Sequence, residues 1–389
     1  MENGYDARVS LTEQRLAEEL IRAESLSGRE GKAAEVLLDA YRELAFDEAY
    51  LDAAGNAIGV FRRGGGPLVM LNGHLDTVPL GDESLWPHPP LGGVVADGLL
   101  WGRGACDMKA AVACMALAAR DAAEQGFGGT LMVAGVVQEE VGGLGSRYLA
   151  TTCSPQVVIL GEPSNLALAL GHRGRVVVEV ELPGKIAHAA RAWLGENALE
   201  RAAALVSRLR ELELPSGGPL GGASATATTL VTFPHGGVNV VPGRAQLTID
   251  YRSLPGESVE AVLARIQALD PGATVRVPVE EASSASGEVR YRQPLLREPY
   301  LAPAGSSEVA TARRVLAAVS ERHHYLFQER SWWFGTDAPL LAETGAVVIG
   351  FGPGDDELAH TTNEHVPVEH LKVARDGYRE LALAYLDER

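Results

Sequence analysis

Acidic and imidazole side chains stand at the ends of several apolar segments of this sequence. They are His74, Asp76, Asp107, Glu139, Glu140, Glu162 and His360. Two imidazoles together with several carboxylates form a mixed nitrogen and oxygen donor set of the kind that binds Zn²⁺ at catalytic sites. The residue types therefore indicate a metal-dependent enzyme, provided that the fold brings these side chains to one place.

The segments that precede these residues have the pattern of buried strands. Residues 67–71, 130–137 and 157–160 are continuous apolar runs, and the alanine-rich helical segment 110–124 separates the first two. Fully apolar strands that alternate with helices are typical of an α/β fold, a mixed and mostly parallel sheet covered by helices. Ligands bind at the carboxyl ends of the strands in such sheets, and the first of these runs leads into Asn72, Gly73 and His74.

A different pattern interrupts the α/β segments. Residues 176–181 and 246–252 alternate between apolar and polar types, which is typical of half-exposed strands, and helical segments at 197–212 and 258–268 intervene. The order strand, helix, strand, strand, helix, strand predicts an inserted α+β domain of ferredoxin-like type. The polar segment 280–288 marks its end. The predicted boundaries are 1–174 and 287–389 for the two parts of the catalytic domain and 175–286 for the insertion.

Charge and composition exclude several classes of protein. The 389 residues contain 34 basic and 51 acidic side chains, and the net charge of −17 disfavours nucleic acid and anionic membrane surfaces as partners. The longest apolar run, 110–119, is shorter than the roughly 20 residues that span a bilayer. Residues 1–10 lack the apolar core of a signal peptide, and three cysteines without CxxC spacing favour a reducing cytoplasm.

Five motifs, spread over nearly the whole chain in order, resemble one family of enzymes. The motifs are GHLDTVP at 73–79, GRGACDMK at 102–109, the pair EE at 139–140, GEPS at 161–164 and His360. This set resembles the dizinc amidohydrolases and metallopeptidases that include acetylornithine deacetylase, succinyl-diaminopimelate desuccinylase, aminoacylase and glutamate carboxypeptidase.

The resemblance implies a specific set of metal ligands. It implies that His74 and Glu162 hold one zinc ion, that Glu140 and His360 hold the other, and that Asp107 bridges both. Two divalent cations roughly 3.5–4 Å apart can activate water and polarise an amide carbonyl at the same time. The donor set accepts Co²⁺ or Mn²⁺ as well as Zn²⁺, so the sequence leaves the metal open.

Two further residues have implied roles close to the metals. Glu139 is adjacent to a ligand and is expected to act as the general base, which takes a proton from water and returns it to the leaving nitrogen. Asp76 is expected to hold His74 in orientation through the ring nitrogen that does not bind metal.

The inserted segment carries further resemblance. His188 is similar to a family histidine that reaches the active site of the partner subunit and stabilises the oxyanion, which implies a homodimer. Asn239, Pro242 and Arg252 match positions that hold the substrate carboxylate, and the planar fork of an arginine suits that task. Ala192 stands where the family usually has proline.

The implied activity is hydrolysis of the amide bond of an N-acyl amino acid. A glutamate at position 162 is similar to the deacylases and carboxypeptidases of the family, whereas an aspartate there is typical of its aminopeptidases. A metallocarboxypeptidase or dipeptidase acting on short peptides remains the alternative within the family.

Less specific interpretations remain for individual residues. Glu139 and Glu140 alone could be a solvated surface pair, Asp107 could be a helix N-cap, and Arg252 could be a solvated edge residue. Glu162 could simply end a strand. Histidines outside the motifs are not expected to bind metal, and neither are His172 and His365, which border motifs without occupying ligand positions.

Two other classes of protein compete with the hydrolase. The glycines of 142–145 follow a strand, as in dinucleotide-binding oxidoreductases, but Tyr148 stands where the third glycine of that fingerprint belongs. A binding protein built on the hydrolase fold would have lost ligands, and none is missing here.

Overall fold

The computed structural model describes residues 11–387. The sequence prediction for residues 1–10 therefore lies outside the described residues. The helices are α1 (Glu13–Arg22), α2 (Gly31–Glu43), α3 (Ala110–Gln125), α4 (Leu144–Thr152), α5 (Ala198–Leu209), α6 (Val259–Gln267), α7 (Ser307–Arg322), α8 (Ala338–Ala342) and α9 (Val368–Asp387).

Short strands make up the rest of the regular structure. In chain order they are β1 (Glu48–Leu51), β2 (Ala57–Arg63), β3 (Leu68–His74), β4 (Val94–Ala96), β5 (Leu99–Trp101), β6 (Gly129–Val136), β7 (Val157–Leu160), β8 (Leu168–His172), β9 (Arg175–Pro183), β10 (Ala187–His188), β11 (Ser224–Phe233), β12 (Val240–Val241), β13 (Arg244–Arg252), β14 (Thr274–Arg276), β15 (Val279–Ser283), β16 (Arg290–Pro294), β17 (Leu296–Arg297), β18 (Tyr300–Leu301), β19 (Glu329–Trp332), β20 (Val347–Gly350) and β21 (His365–Pro367).

The central sheet has the order β1-β2-β6-β3-β7-β20-β8-β18, with β19 beside β8. Its middle strands β6, β3, β7 and β20 run parallel, and the antiparallel pairs lie toward the two edges. The predicted mixed sheet covered by helices is confirmed. The turn at 64–66 connects β2 to β3, yet these two strands do not pair, because β6 lies between them.

Helices cover both faces of this sheet. On one face, α1, α2, α3, α7 and α9 pack in a single large core, and on the other face α4 and α8 close a smaller one. Helix α3 is buried along most of its length, since its many alanines let neighbouring helices approach closely. Among the helices of residues 11–387, none is both long and apolar enough to cross a bilayer.

A separate antiparallel sheet forms the inserted part. Its order is β11-β13-β9-β14, and α5 and α6 contribute to the core on one face. This order is that of a ferredoxin-like unit, so the predicted insertion of an α+β unit is confirmed, while the boundary residues remain a prediction. The polar segment 280–288 is not a plain linker, because β15 and β16 pair as a hairpin across it. Strand β17 then pairs with β9 of the inserted sheet.

Candidate metal centre

The carboxyl end of β3 and the turn after β5 bring His74 against Asp107. Nε2 of His74 lies 2.9 Å from Oδ1 of Asp107. Both side chains are almost completely buried. The other oxygen of the same carboxylate, Oδ2, lies 3.3 Å from Nε2 of His360. One carboxylate therefore faces two imidazoles with its two oxygens, which is the arrangement expected of a ligand shared between two cations.

Backbone hydrogen bonds fix the turn that carries Asp107. The amides of Cys106 and Asp107 donate to Oε1 of Glu364 at 3.1 and 3.2 Å, and Nη1 of Arg103 lies 2.5 Å from Oε2 of the same carboxylate. The peptide bond between Asp107 and Met108 is cis. Glu364 thus neutralises the charge of Arg103 and holds the backbone of the shared carboxylate at once.

Two motif glycines allow this turn to approach the sheet. A Cβ atom on Gly73 would lie 2.6 Å from Cε of Met108, and one on Gly161 would lie at the same distance from that atom. A side chain at either position would displace the end of the Met108 side chain. The glycines before His74 and Glu162 therefore allow Met108 to pack closely against both positions.

The second imidazole lies between two carboxylates. Nε2 of His360 is 2.9 Å from Oε1 of Glu140, in addition to its contact with Asp107. Backbone φ at His360 is +64°, a left-handed conformation that few non-glycine residues adopt. Such strain is found where function requires a particular side-chain direction.

Glu139 and Glu162 complete the cluster around His74. One ligand atom from each of these three side chains lies within 4.8 Å of the other two, and the same holds for His74, Asp107 and Glu140. The structure thus brings together all five predicted ligands and the predicted base. The interpretation of Glu139 and Glu140 as a solvated surface pair does not fit, since both side chains are largely buried.

The carboxylate of Asp76 contacts the backbone of both adjacent glutamates of the cluster, Glu139 and Glu140. Its Oδ1 accepts a hydrogen bond from the amide of Glu139 at 3.0 Å, and its Oδ2 accepts from the amide of Glu140 at 3.1 Å and from the hydroxyl of Ser27 at 2.8 Å. Nδ1 of His74 lies 2.9 Å from the backbone oxygen of Asp76 and 3.6 Å from its carboxylate. Asp76 therefore orients the turn of the two glutamates as well as the imidazole.

Burial, neighbouring carboxylates and hydrogen bonds shift the pKa values of several groups in the cluster. Burial raises the pKa of the carboxyls of Glu139, Glu140 and Glu162, and neighbouring carboxylates add to the effect. Hydrogen bonds to Asp107 and Glu140 raise the pKa of His360 to about 10. Burial opposes ionisation of Asp107, but hydrogen bonds from the two imidazoles outweigh it and lower its pKa.

This donor set fits divalent cations. Four largely buried carboxylates lie close together beside the buried His74 and the half-exposed His360, so this group of negative charges is unfavourable without positive charge among them. Carboxylate oxygens and imidazole nitrogens are ligands that Zn²⁺ binds, and a carboxylate with one oxygen toward each imidazole can serve two ions. The residues present are therefore suited to two metal ions.

A cleft of about 420 Å³ opens at the cluster, and its lining also includes Arg175, Arg252 and Arg297. Arg175 and Arg252 come from the inserted sheet, and both pair with Asp250, at 2.7 and 2.6 Å. Arg252 lines the cleft, a quarter of its side chain is exposed, and its strand β13 lies between β11 and β9 and not at the sheet edge. Its role in binding a substrate carboxylate stays a prediction. Arg175 was not among the predicted site residues.

Two predicted site residues, His188 and Asn239, lie outside this cleft. His188 pairs with Val240 in the short ladder of β10 and β12, and the amide of Ala189 donates to the backbone oxygen of Asn239 at 2.8 Å. Both His188 and Asn239 are exposed, and neither lines the cleft of its own chain. The structure therefore places these two residues beside each other but apart from the metal ligands.

Sequence reasoning also missed Arg297 and Asp337, which lie against the predicted base. Arg297 Nη2 contacts the backbone oxygen of Glu139 and lies 3.4 Å from its Oε1, while Nη1 lies 3.0 Å from Oδ1 of Asp337. Arg297 follows two leucines in an unremarkable segment, and no spacing rule connects it to Glu139.

Comparison with known proteins gives a consistent result. Residues 70–384 match peptidase family M20/M25/M40. The chain is 27% identical to the uncharacterized protein YgeY of Escherichia coli, over 99% of this chain and 97% of that protein. It is 32% identical to acetylornithine deacetylase of Myxococcus xanthus, over 77% of this chain and 76% of that protein.

The fold is similar to that of solved structures in the same family. The M20 family metallo-carboxypeptidase Sso-CP2 of Sulfolobus solfataricus superimposes with a TM-score of 0.76 at 17% identity, covering 96% of this chain and 99% of that chain.

Proposed function

This chain belongs to peptidase family M20/M25/M40 and is a metal-dependent hydrolase, and from that premise we propose that it is a dizinc amidohydrolase that releases the amine from an N-acyl amino acid. One observation carries the proposal. The carboxylate of Asp107 directs one oxygen to His74 and the other to His360, at 2.9 and 3.3 Å, on the floor of an open cleft. Such a carboxylate is suited to bridge two ions.

In this proposal five side chains hold two zinc ions. His74 and Glu162 would hold one, Glu140 and His360 would hold the other, and Asp107 would contribute to both. When bound, two such ions supply Lewis-acid polarisation of an amide carbonyl and make water acidic enough to lose a proton near neutral pH.

Glu139 performs the proton transfers. Its carboxylate lies within 4.8 Å of ligand atoms of His74 and Glu162, so it is close to the reacting atoms without being needed as a ligand. Glu139 takes the proton of the attacking water and returns it to the nitrogen that leaves as the amine. Asp76 keeps Glu139 in place through the backbone amide.

Arg175 and Arg252, which the inserted sheet contributes to the cleft, suit the carboxylate of the substrate. Arg252 uses Nε and Nη2 on Asp250, which leaves donors free to bind a carboxylate of an amino acid. The chain is similar in sequence to a deacetylase, and its fold is similar to that of a metallo-carboxypeptidase. Both kinds of enzyme cleave an amide next to an amino-acid carboxylate, and relatives of both kinds match this chain in sequence. The deacylase is the activity that we propose, and the substrate panel decides between the two.

The active site is completed by a second subunit in this proposal. His188 and Asn239 are exposed beside each other and lie outside the cleft of their own chain. Apolar side chains around them are also exposed, including Trp193 at 77% and Val238 at 98%. The adjacent strand β11 is an edge strand of the inserted sheet. These features suit a homodimer in which His188 stabilises the oxyanion in the partner's site.

A substrate panel tests the activity. Protein saturated with zinc is incubated with N-acetyl, N-succinyl and N-carbamoyl amino acids and with dipeptides, and the released amine is measured. We expect release from N-acyl amino acids, and preference for dipeptides would instead assign the peptidase. Absence of hydrolysis of every class would refute the proposal.

Metal analysis tests the centre independently of activity. The protein should bind close to two zinc ions per chain, and Asp107→Ala should reduce that number more than any other single substitution because it removes a ligand from both ions. Replacement by cobalt or manganese that restores more activity than zinc would reassign the metal while retaining the centre.

A further inference from the structure

A buried arginine joins the predicted base to the inserted sheet. Arg297 lies on β17, which pairs with β9, and its side chain is only 16% exposed. Nη2 of Arg297 contacts the backbone oxygen of Glu139 and lies 3.4 Å from Oε1 of that residue. One guanidinium nitrogen therefore reaches both the main chain and the side chain of Glu139.

A second carboxylate, that of Asp337, fixes the direction of the Arg297 guanidinium. Nη1 of Arg297 lies 3.0 Å from Oδ1 of Asp337, which is completely buried at the start of α8. Because the guanidinium is planar, holding one terminal nitrogen at Asp337 directs the other toward Glu139. A lysine has a single ammonium group and could not hold these two separated partners in the same way.

The loop that carries Glu139 approaches this ion pair closely at Gly143. A Cβ atom on Gly143 would lie 2.5 Å from Oδ1 of Asp337 and 2.6 Å from Nη1 of Arg297, and φ at Gly143 is +73°. The loop that carries Glu139 therefore closes tightly on the ion pair between Arg297 and Asp337.

We propose that Arg297 is a positioning residue that orients the carboxylate of Glu139 for proton transfer, holding Oε1 and leaving the other oxygen to face the attacking water. The inference rests on the proposed function, since it takes Glu139 as the base. Arg297 acts through Glu139 and makes no contact with the reacting atoms in this role.

The test compares kcat and KM of Arg297→Gln with those of the wild type, with zinc-loaded protein and the best amide of the substrate panel. Residues that orient a functional group through hydrogen bonds typically contribute about 10- to 100-fold, so we expect kcat to fall by about that factor. KM should change by less than about twofold, because substrate binding is not altered. Arg297→Lys should recover only part of the loss.

Arg292→Gln provides a matched control. Arg292 lies on the preceding strand β16, is 75% exposed, and approaches Glu281 no closer than 4.0 Å. The control removes the same charge from the same segment and should leave kcat, KM and zinc content unchanged. A similar fall of kcat in both variants would attribute the effect to charge alone and overturn the positioning role.

A double-mutant cycle identifies the residue through which Arg297 acts. In a background of Glu139→Gln, the substitution Arg297→Gln should lower kcat no further, because the group that it positions is already inactive. If the two losses multiply, Arg297 acts independently of Glu139. If KM rises while kcat is unchanged, Arg297 binds substrate instead.

The outcomes separate the two proposals. An impaired Glu139→Gln enzyme with a fully active Arg297→Gln enzyme would overturn only the positioning role, whereas a wild type that cleaves no amide would overturn the proposed function. If Arg297→Gln does not fold, Arg297→Lys retains a cation beside Asp337 and serves in its place. Its kcat should still fall with KM unchanged, and wild-type kcat in Arg297→Lys would refute the inference.

Discussion

Replacing Asp76 by asparagine should weaken both the metal centre and the fold around it. The buried carboxylate of Asp76 accepts three hydrogen bonds, from the amides of Glu139 and Glu140 and from the hydroxyl of Ser27. An asparagine has a single acceptor oxygen, and its NH₂ group would face a backbone N–H in either orientation of the amide. The hydroxyl of Ser27 can turn to accept, whereas one backbone amide loses its partner.

The magnitude follows from that one lost bond. A hydrogen bond to a charged group contributes about 1.5–3 kcal/mol, so Asp76→Asn should destabilise the protein by about that amount. The affected amide belongs to Glu139 or Glu140. His74 also lies beside Asp76, because Nδ1 of its ring contacts the backbone oxygen of Asp76. Because the loss of such a supporting contact typically costs about 10- to 100-fold in metal affinity or activity, zinc affinity should fall by about that factor.

Two measurements check this prediction. Urea unfolding of chelator-treated protein gives the change in stability without metal, and competition with a chromophoric chelator gives the zinc affinity. Asp82→Asn is the control, because Asp82 is exposed and caps a short turn, a role that asparagine fills equally well. If Asp76→Asn and Asp82→Asn show the same unfolding midpoint and the same zinc affinity as the wild type, the carboxylate of Asp76 does not organise the centre.

Three other outcomes are expected. Glu139→Gln should lower the rate by about 10²–10⁴ while zinc content stays unchanged, and parallel loss of zinc would make Glu139 a ligand. His188→Ala should lower turnover by about 10²–10³. Mixing it with Glu139→Gln should restore about a quarter of wild-type activity if each site uses two chains, and no recovery after verified subunit exchange would refute the shared site. Burial lowers the pKa of His172 to about 4. The unfolded chain, with a histidine pKa of about 6.5, therefore binds more protons, and stability should rise with pH between these values. His172→Gln should flatten that rise, as measured by urea midpoints, whereas the exposed control His235→Gln should not, and identical profiles would contradict the assignment.

The ends of the central strands could be predicted well from sequence. The apolar run at 157–160 coincides with β7, and the run at 130–137 differs from β6 by one residue at each end. Local composition decides such segments, because a strand covered on both faces has to be apolar throughout. Parallel strands also end at the same edge of a sheet, so residues that follow different strands meet there.

The partners that hold the ligands could not be predicted in the same way. Glu364 and Arg103 are 261 residues apart in the chain, and Arg297 and Glu139 are 158 apart. No short-range periodicity relates such pairs, and each residue alone has the appearance of an ordinary surface charge. Their roles depend on burial, which only the packed structure defines.

The order of the strands in the central sheet could likewise not be predicted from local sequence patterns. The turn at 64–66 is compatible with a hairpin of β2 and β3, but β6 pairs with both strands and separates them. The hairpin of β15 and β16 could not be predicted from sequence because this segment is polar. Its buried residues, Ala282 and Val289, pack on Leu144 and Val137 near the loop of Glu139.

Side chains from both sheets line the cleft. There is a chemical reason why the two sheets contribute different residue types. The predicted acidic and imidazole ligands come from strand ends and loops of the central sheet, while Arg175 and Arg252 come from the inserted sheet. Had the two arginines been placed among the carboxylates, they would have paired with them and competed with metal ions for the same oxygens. Asp250 instead holds both guanidinium groups at the cleft, at 2.7 and 2.6 Å. Under the proposed function, these arginines would bind the carboxylate of the amino acid while the adjacent amide bond lies at the predicted ligands of the central sheet.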